Sequence, residues 1–127
     1  MFKIDKNTKE IHITRGDIAS ISIQAIDNDG NNYEFQPGDV VRFNVYKKSD
    51  CNSVLLRKDT LVNEVCTEMT INLTKEDTKI GDVILKPTNL YLYEVELNPE
   101  TAPQTIIGYD DEIGEYKFTL YPEAGDN

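Results

Sequence analysis

Leu90-Tyr91-Leu92-Tyr93-Glu94-Val95-Glu96-Leu97 is the most strand-like stretch of the chain, and its reading decides the fold. Successive side chains on a strand point to opposite faces. Tyr91, Tyr93, Val95 and Leu97 therefore share one face, which suits a core. Leu90, Leu92, Glu94 and Glu96 share the other, which turns from apolar to acidic and meets water at its far end. The remaining segments read best as partners for this strand.

Downstream, Asn98 to Gln104 holds two prolines and reads as a loop. Thr105 to Tyr109 and Glu115 to Tyr121 read as a last hairpin around the acidic turn Asp110-Asp111-Glu112. In it Tyr116, Phe118 and Leu120 alternate with Lys117, Thr119 and Tyr121. Pro122 ends the folded part, so residues 1–122 form one domain and residues 123–127 a loose tail.

Upstream, Thr74-Lys75-Glu76-Asp77 resembles a capping box, with Asp77 in place of the usual Glu. It predicts a single helical turn to about Ile80, stopped by Gly81. Met69, Ile71 and Leu73 mark a strand, and Val54 to Arg57 and Leu61 to Cys66 mark two weaker ones. Val40 to Lys47 is a clean strand, with Val41, Phe43 and Val45 opposite Arg42, Asn44 and Tyr46. Ile18 to Ile26 is another, with Ala19, Ile21, Ile23 and Ala25 inward. Between these two, Asp27 to Asn32 and Gln36 to Asp39 carry turn residues, and Tyr33 to Phe35 is a short extended piece. Residues 8–14 form a first strand, with Ile11 and Ile13 on one side, broken by Arg15-Gly16-Asp17. About eight short strands with turns between them predict an all-β sandwich of two antiparallel sheets.

A chain of 127 residues fits one domain and can bury a core without staples. Its net charge of −10 disfavours nucleic acid and anionic membranes, whose phosphates would be repelled. The first six residues lack the apolar run of a signal peptide, so synthesis in a cytoplasm is expected. Cys51 and Cys66 are then expected reduced, although facing strands of one hairpin would let them pair.

Chemical motifs are sparse. His12, the one histidine, sits on the polar face of its strand and reads as solvated. Asp27, Asp29 and Asn31 have the one-three-five spacing of a calcium loop. Positions six and twelve of that loop would be Asn32 and Gly38, so a plain hairpin turn is the better reading. The Arg-Gly-Asp tripeptide at 15–17 reads as a strand-to-strand turn rather than a recognition signal. The acidic cluster at 110–112 reads as a solvated hairpin tip. No catalytic residue, metal ligand or cofactor site is assigned, and an enzyme is not expected. Tyr46, Leu92 and Tyr121 are the side chains available for a carbohydrate-binding face, the alternative function.

The order of several segments carries a resemblance. Ile4-Asp5-Lys6-Asn7-Thr8 runs into Ile13-Thr14-Arg15-Gly16-Asp17. Gly38-Asp39-Val40-Val41-Arg42-Phe43, Leu73-Thr74-Lys75-Glu76-Asp77-Thr78 and Tyr91 to Leu97 follow. Pro103-Gln104-Thr105-Ile106-Ile107-Gly108 and Leu120-Tyr121-Pro122-Glu123 complete the set. Together they resemble the small immunoglobulin-like virion proteins of Firmicutes phages and prophages, similar to the N-terminal domain of upper baseplate proteins. The resemblance implies an immunoglobulin-like sandwich and a structural role in a baseplate, tail or capsid. Because no catalytic constellation is found and a sandwich has edge strands with unpaired N–H and C=O groups, docking on other virion proteins or on copies of itself is the expected mode of action. The expected docking edges are residues 8–14 and the weak strands around Val54 to Cys66.

Overall fold

The structure, a computed structural model, describes residues 2–4, 9–25, 29–47, 50–80, 89–107 and 116–122. The strands are β1 (Phe2–Ile4), β2 (Ile11–Thr14), β3 (Ala19–Ile23), β4 (Val40–Lys47) and β5 (Asp50–Leu61). They continue with β6 (Met69–Leu73), β7 (Asn89–Leu97), β8 (Gln104–Ile107) and β9 (Tyr116–Tyr121). Seven of them form one sheet, in the order β1-β2-β9-β7-β4-β5, with β8 beside β7. The other two, β3 and β6, form a second sheet. The fold is a two-sheet β-sandwich.

Period-two patterning builds the core. In β3 and β6 every second residue is buried, placing Ala19, Ile21 and Ile23 beside Leu73, Ile71 and Met69. These face Phe43, Val45, Tyr93, Val95, Phe118 and Leu120 of the large sheet in one apolar cluster. Phe43 lies at its centre, with ring centroids 5.5 Å from Tyr93 and 6.2 Å from Phe118. The predicted inward face of β7 is the buried one, since Tyr91, Tyr93, Val95 and Leu97 are all buried.

The capping motif forms as read. The Thr74 N–H donates to Asp77 Oδ2 at 2.9 Å, and the Asp77 N–H donates to Thr74 Oγ1 at 3.2 Å. One i→i+4 bond, Thr78 N–H to the Thr74 carbonyl at 3.3 Å, closes the turn. Gly81, the expected stop, lies outside the described residues, as does the tail at 123–127.

Four expectations are corrected. Thr105 to Tyr109 and Glu115 to Tyr121 do not form a hairpin. β8 and β9 both run antiparallel to β7, one beyond the other. Val95 faces Ile107, and Tyr93 faces Tyr116. They are two parts of one interrupted strand, because β7 is long enough to be shared along its length. Residues 108–115, with the acidic cluster, fall between the two parts and outside the described residues.

The second correction concerns the N-terminal edge. Phe2–Ile4 pairs with Ile11–Thr14, so β2 is interior and β1 takes the edge. The third is that β2 pairs with β9 in parallel, Ile11 facing Phe118, while the other strand pairs are antiparallel. Neighbours at opposite ends of the chain need no tight turn, so either direction is open to them. The fourth is that Val54 to Arg57 and Leu61 do not belong to separate strands. They share the 12-residue β5. Residues 50–61 contain neither Gly nor Pro, a signal of continuity that the sequence did hold. The adjacent Leu55 and Leu56 hid it by spoiling the alternation. The pairing with β4 shifts register there: Val45 faces Leu56 but Tyr46 faces Val54. The extra residue lets both leucines pack on the core while Val54 turns outward.

Candidate functional site

β5 closes one end of the large sheet, so its far side has no neighbouring strand among the described residues. The hydrogen-bond phase shows which groups it presents. Beyond its end, Val62 N–H donates to the Asp39 carbonyl at 2.8 Å and the Val62 carbonyl accepts from Gly38 N–H at 3.0 Å. Val40, opposite Leu61, directs its own polar groups to Asn98 instead, at 2.8 and 2.9 Å. Both polar groups of a residue in an antiparallel ladder point to the same side, and the side alternates. Leu56, Lys58 and Thr60 therefore bond to β4. Arg57, Asp59 and Leu61 direct their N–H and C=O groups outward.

The side chains near this edge mix charge with exposed apolar surface. Leu61 is 57% exposed, Val65 54% and Val54 37%, three of the five large apolar side chains exposed on the described surface. On the outer face a polar ladder runs across β5, β4 and β7. Arg42 grips Asp59 with two bonds, Nε to Oδ1 at 2.8 Å and Nη2 to Oδ2 at 3.0 Å. Its Nη2 also lies 3.0 Å from Glu100 Oε1. The Arg42 guanidinium holds the Asp59 carboxyl below the usual carboxylate range. Arg57 Nε donates at 3.4 Å to Asn44 Oδ1, and Asn44 Nδ2 donates to Glu96 at 3.0 Å. On the inner side, Lys58 Nζ lies 2.8 Å from Asp77 Oδ2.

Two further networks tie the ends of the sandwich. At the root of β4, Asp39 accepts from Tyr33 Oη at 2.7 Å, Gln36 N–H at 2.9 Å and Asn98 Nδ2 at 3.1 Å. Burial alone would raise the Asp39 carboxyl, but these donors outweigh it and hold it below its ordinary range. The same bond, aided by burial and by the Asp39 charge, pushes the Tyr33 hydroxyl up to about 12. Gly38 beside it has φ +97, a left-handed conformation that other residues adopt at a cost. At the opposite end of the sandwich, the fully buried Thr78 accepts from Gly16 N–H at 3.0 Å and donates to the Asp17 carbonyl at 2.8 Å. The Arg-Gly-Asp tripeptide is thus an internal turn, with Arg15 largely buried.

The other residues singled out from sequence do not assemble into a site. Asp27 lies outside the described residues, while Asp29 and Asn31 are exposed. Among the described residues no three His, Cys, Asp or Glu side chains gather as metal ligands would. His12 is not simply solvated: its Nδ1 is 3.0 Å from Tyr121 Oη, and its Nε2 is 3.4 Å from Glu10 Oε2.

Cys66 is a free thiol. Cys51 is the second residue of β5 and Cys66 lies beyond its end, after a strand about 40 Å long at roughly 3.3 Å per residue. The facing-strand geometry needed for a disulfide is absent. Leu92 is 3% exposed, which corrects its place in a carbohydrate-binding face. Tyr46 on β4 and Lys117 on β9 flank it in register and leave water little access. Tyr121 lies four residues along β9 from Lys117, about 13 Å away at roughly 3.3 Å per residue. It makes no continuous platform with Tyr46.

The fold and this edge define an all-β, two-sheet sandwich domain with one long strand open to pairing. In comparisons with protein-family models, curated proteins and solved structures, the chain matches none.

Proposed function

We propose that this domain is a structural and assembly protein of a phage or prophage virion, acting by docking through the open edge of β5. It is made in the host cytoplasm and carried in the particle. The observation that carries the docking reading is the edge itself. Among the described residues β5 pairs on one side only, and Leu61 and Val54 stand exposed along it. Such an edge accepts a strand from another protein through main-chain hydrogen bonds. The order β2-β9-β7-β4-β5 over β3-β6 supports the immunoglobulin-like part of the reading. Variable-type domains similarly set strands G, F, C and C′ in one sheet and B and E in the other. The position in a baseplate, tail or capsid follows from the sequence resemblance. Mass spectrometry of purified particles tests the role: peptides of this chain are expected there at a fixed ratio to the other structural proteins. Absence from particles, with no binding to any particle protein in light scattering, overturns it.

A further inference from the structure

We propose that the partner of the β5 edge is a second copy of this chain, with the two β5 strands pairing antiparallel about a two-fold axis at Lys58. This rests on the docking reading of β5 and adds its occupant and register. In an antiparallel pair, residues whose polar groups point outward must face each other. A two-fold axis must therefore pass through one residue of each strand, and charge decides which. An axis at Arg57 sets Arg57 against Arg57, and an axis at Asp59 sets Asp59 against Asp59. An axis at Leu56 or Thr60 sets a charge against a leucine. Only the axis at Lys58 sets Arg57 against Asp59 of the second copy, twice.

The rest of the edge fits that register. Arg57 and Asp59 both present N–H and C=O groups outward, so each pair exchanges two main-chain bonds. The Asp59 carboxylate, already held by Arg42, keeps acceptor sites for a second guanidinium. Lys58 meets Lys58 on the axis, but each ammonium is matched by its own Asp77 at 2.8 Å. Leu61 comes beside the exposed Val54 of the second copy on the outer face, covering apolar surface that the monomer leaves in water. The chain carries −10 overall, yet residues 56–60 hold two cations and one anion. Repulsion between the two chains is screened beyond about 8 Å at physiological ionic strength.

Sedimentation velocity up to about 1 mM chain tests the pairing. The wild type is expected to dimerise with rising concentration. Arg57→Asp and Asp59→Arg should each sediment as monomers, because each sets like charges together twice. Their equimolar mixture should dimerise again, since the chain with two aspartates faces the chain with two arginines. Circular dichroism checks that each variant keeps its fold. A covalent test does not depend on Asp59→Arg folding. On a Cys51→Ser, Cys66→Ser background, Lys58→Cys places two thiols across the axis at a Cα separation of about 4.5 Å, within disulfide range. It should form a disulfide dimer under mild oxidation, whereas Thr60→Cys should not. A wild type that stays monomeric throughout, a mixture no more dimeric than its components, or equal cross-linking at both positions overturns the proposal. A monomer found in particles overturns this dimer and leaves the docking role standing. A dimer absent from particles does the reverse.

Discussion

β7 and β5 are two long strands of the same sheet, and they solve different problems. β7 is paired on both sides, by β4 on one and by β9 and β8 on the other. Its alternation is clean, and even Leu92 on its outer face is buried. Among the described residues β5 is paired on one side only, and its alternation is broken by a register shift near Val54. A slip by one residue in β7 would send Tyr91, Tyr93, Val95 and Leu97 to the wrong face, so its register is strongly specified. An irregularity in β5 disturbs one ladder and is absorbed at the edge. The centre of the sheet carries stability, and its rim is where irregularity is tolerated.

The widest separation between the two should come from side-chain truncation. Phe43→Ala, at the aromatic centre on β4 beside β7, should cost about 3–5 kcal/mol in urea unfolding, because a cavity opens in a packed core. Less than about 1 kcal/mol would place the core elsewhere. A smaller loss is expected at the buried hydroxyl that ties the 15–17 turn. Thr78→Val keeps the shape but strands Gly16 N–H and the Asp17 carbonyl, at about 1–3 kcal/mol. Thr74→Ala, which removes one half of the capping pair, should cost about 1 kcal/mol. Leu61→Ser on the open edge should change monomer stability by no more than about 0.5 kcal/mol. If it costs as much as Phe43→Ala, the edge is part of the core and the contrast fails.

The pH dependence sharpens the same contrast. Asp39, Asp59 and Asp77 are all held below their ordinary range in the folded chain, the first at the root of β4, the second against Arg42 and the third against Lys58 and Thr74. Unfolded, each titrates near 3.9. Their contribution is therefore complete above about pH 4 and is lost as pH falls below it through the folded values, because the unfolded chain takes up protons first. Tyr33 has the opposite sign. Its hydroxyl is raised to about 12, so its contribution is complete below about pH 10 and lost as pH climbs towards 12. Denaturant midpoints measured across pH should be flat between about 5 and 9 and fall on both sides. Tyr33→Phe should remove part of the alkaline fall. An unchanged alkaline slope in that variant would mean that the Tyr33–Asp39 bond does not persist in solution.

Much of the molecule was legible before folding. The faces of β3, β4, β6, β7 and β9 follow from alternation, because a strand in contact with a core must bury every second residue. The capping turn was legible for the same local reason: Thr74 and Asp77 are three residues apart and satisfy each other's N–H groups. Tertiary structure alone decided what joins what. Nothing in Thr105 to Tyr121 distinguishes a hairpin from two successive partners of β7, because strand pairing is a contact between distant residues. The burial of Leu92 arose from neighbours on both flanks, which its own stretch does not encode. The edge of the sheet was likewise settled by pairing, with β1 covering β2 and nothing described covering β5. Local sequence determined which side of β3, β4, β6, β7 and β9 is apolar, since that depends only on residues two apart. Register, strand order and the open rim depend on which surfaces meet, and only the folded chain brings those surfaces together.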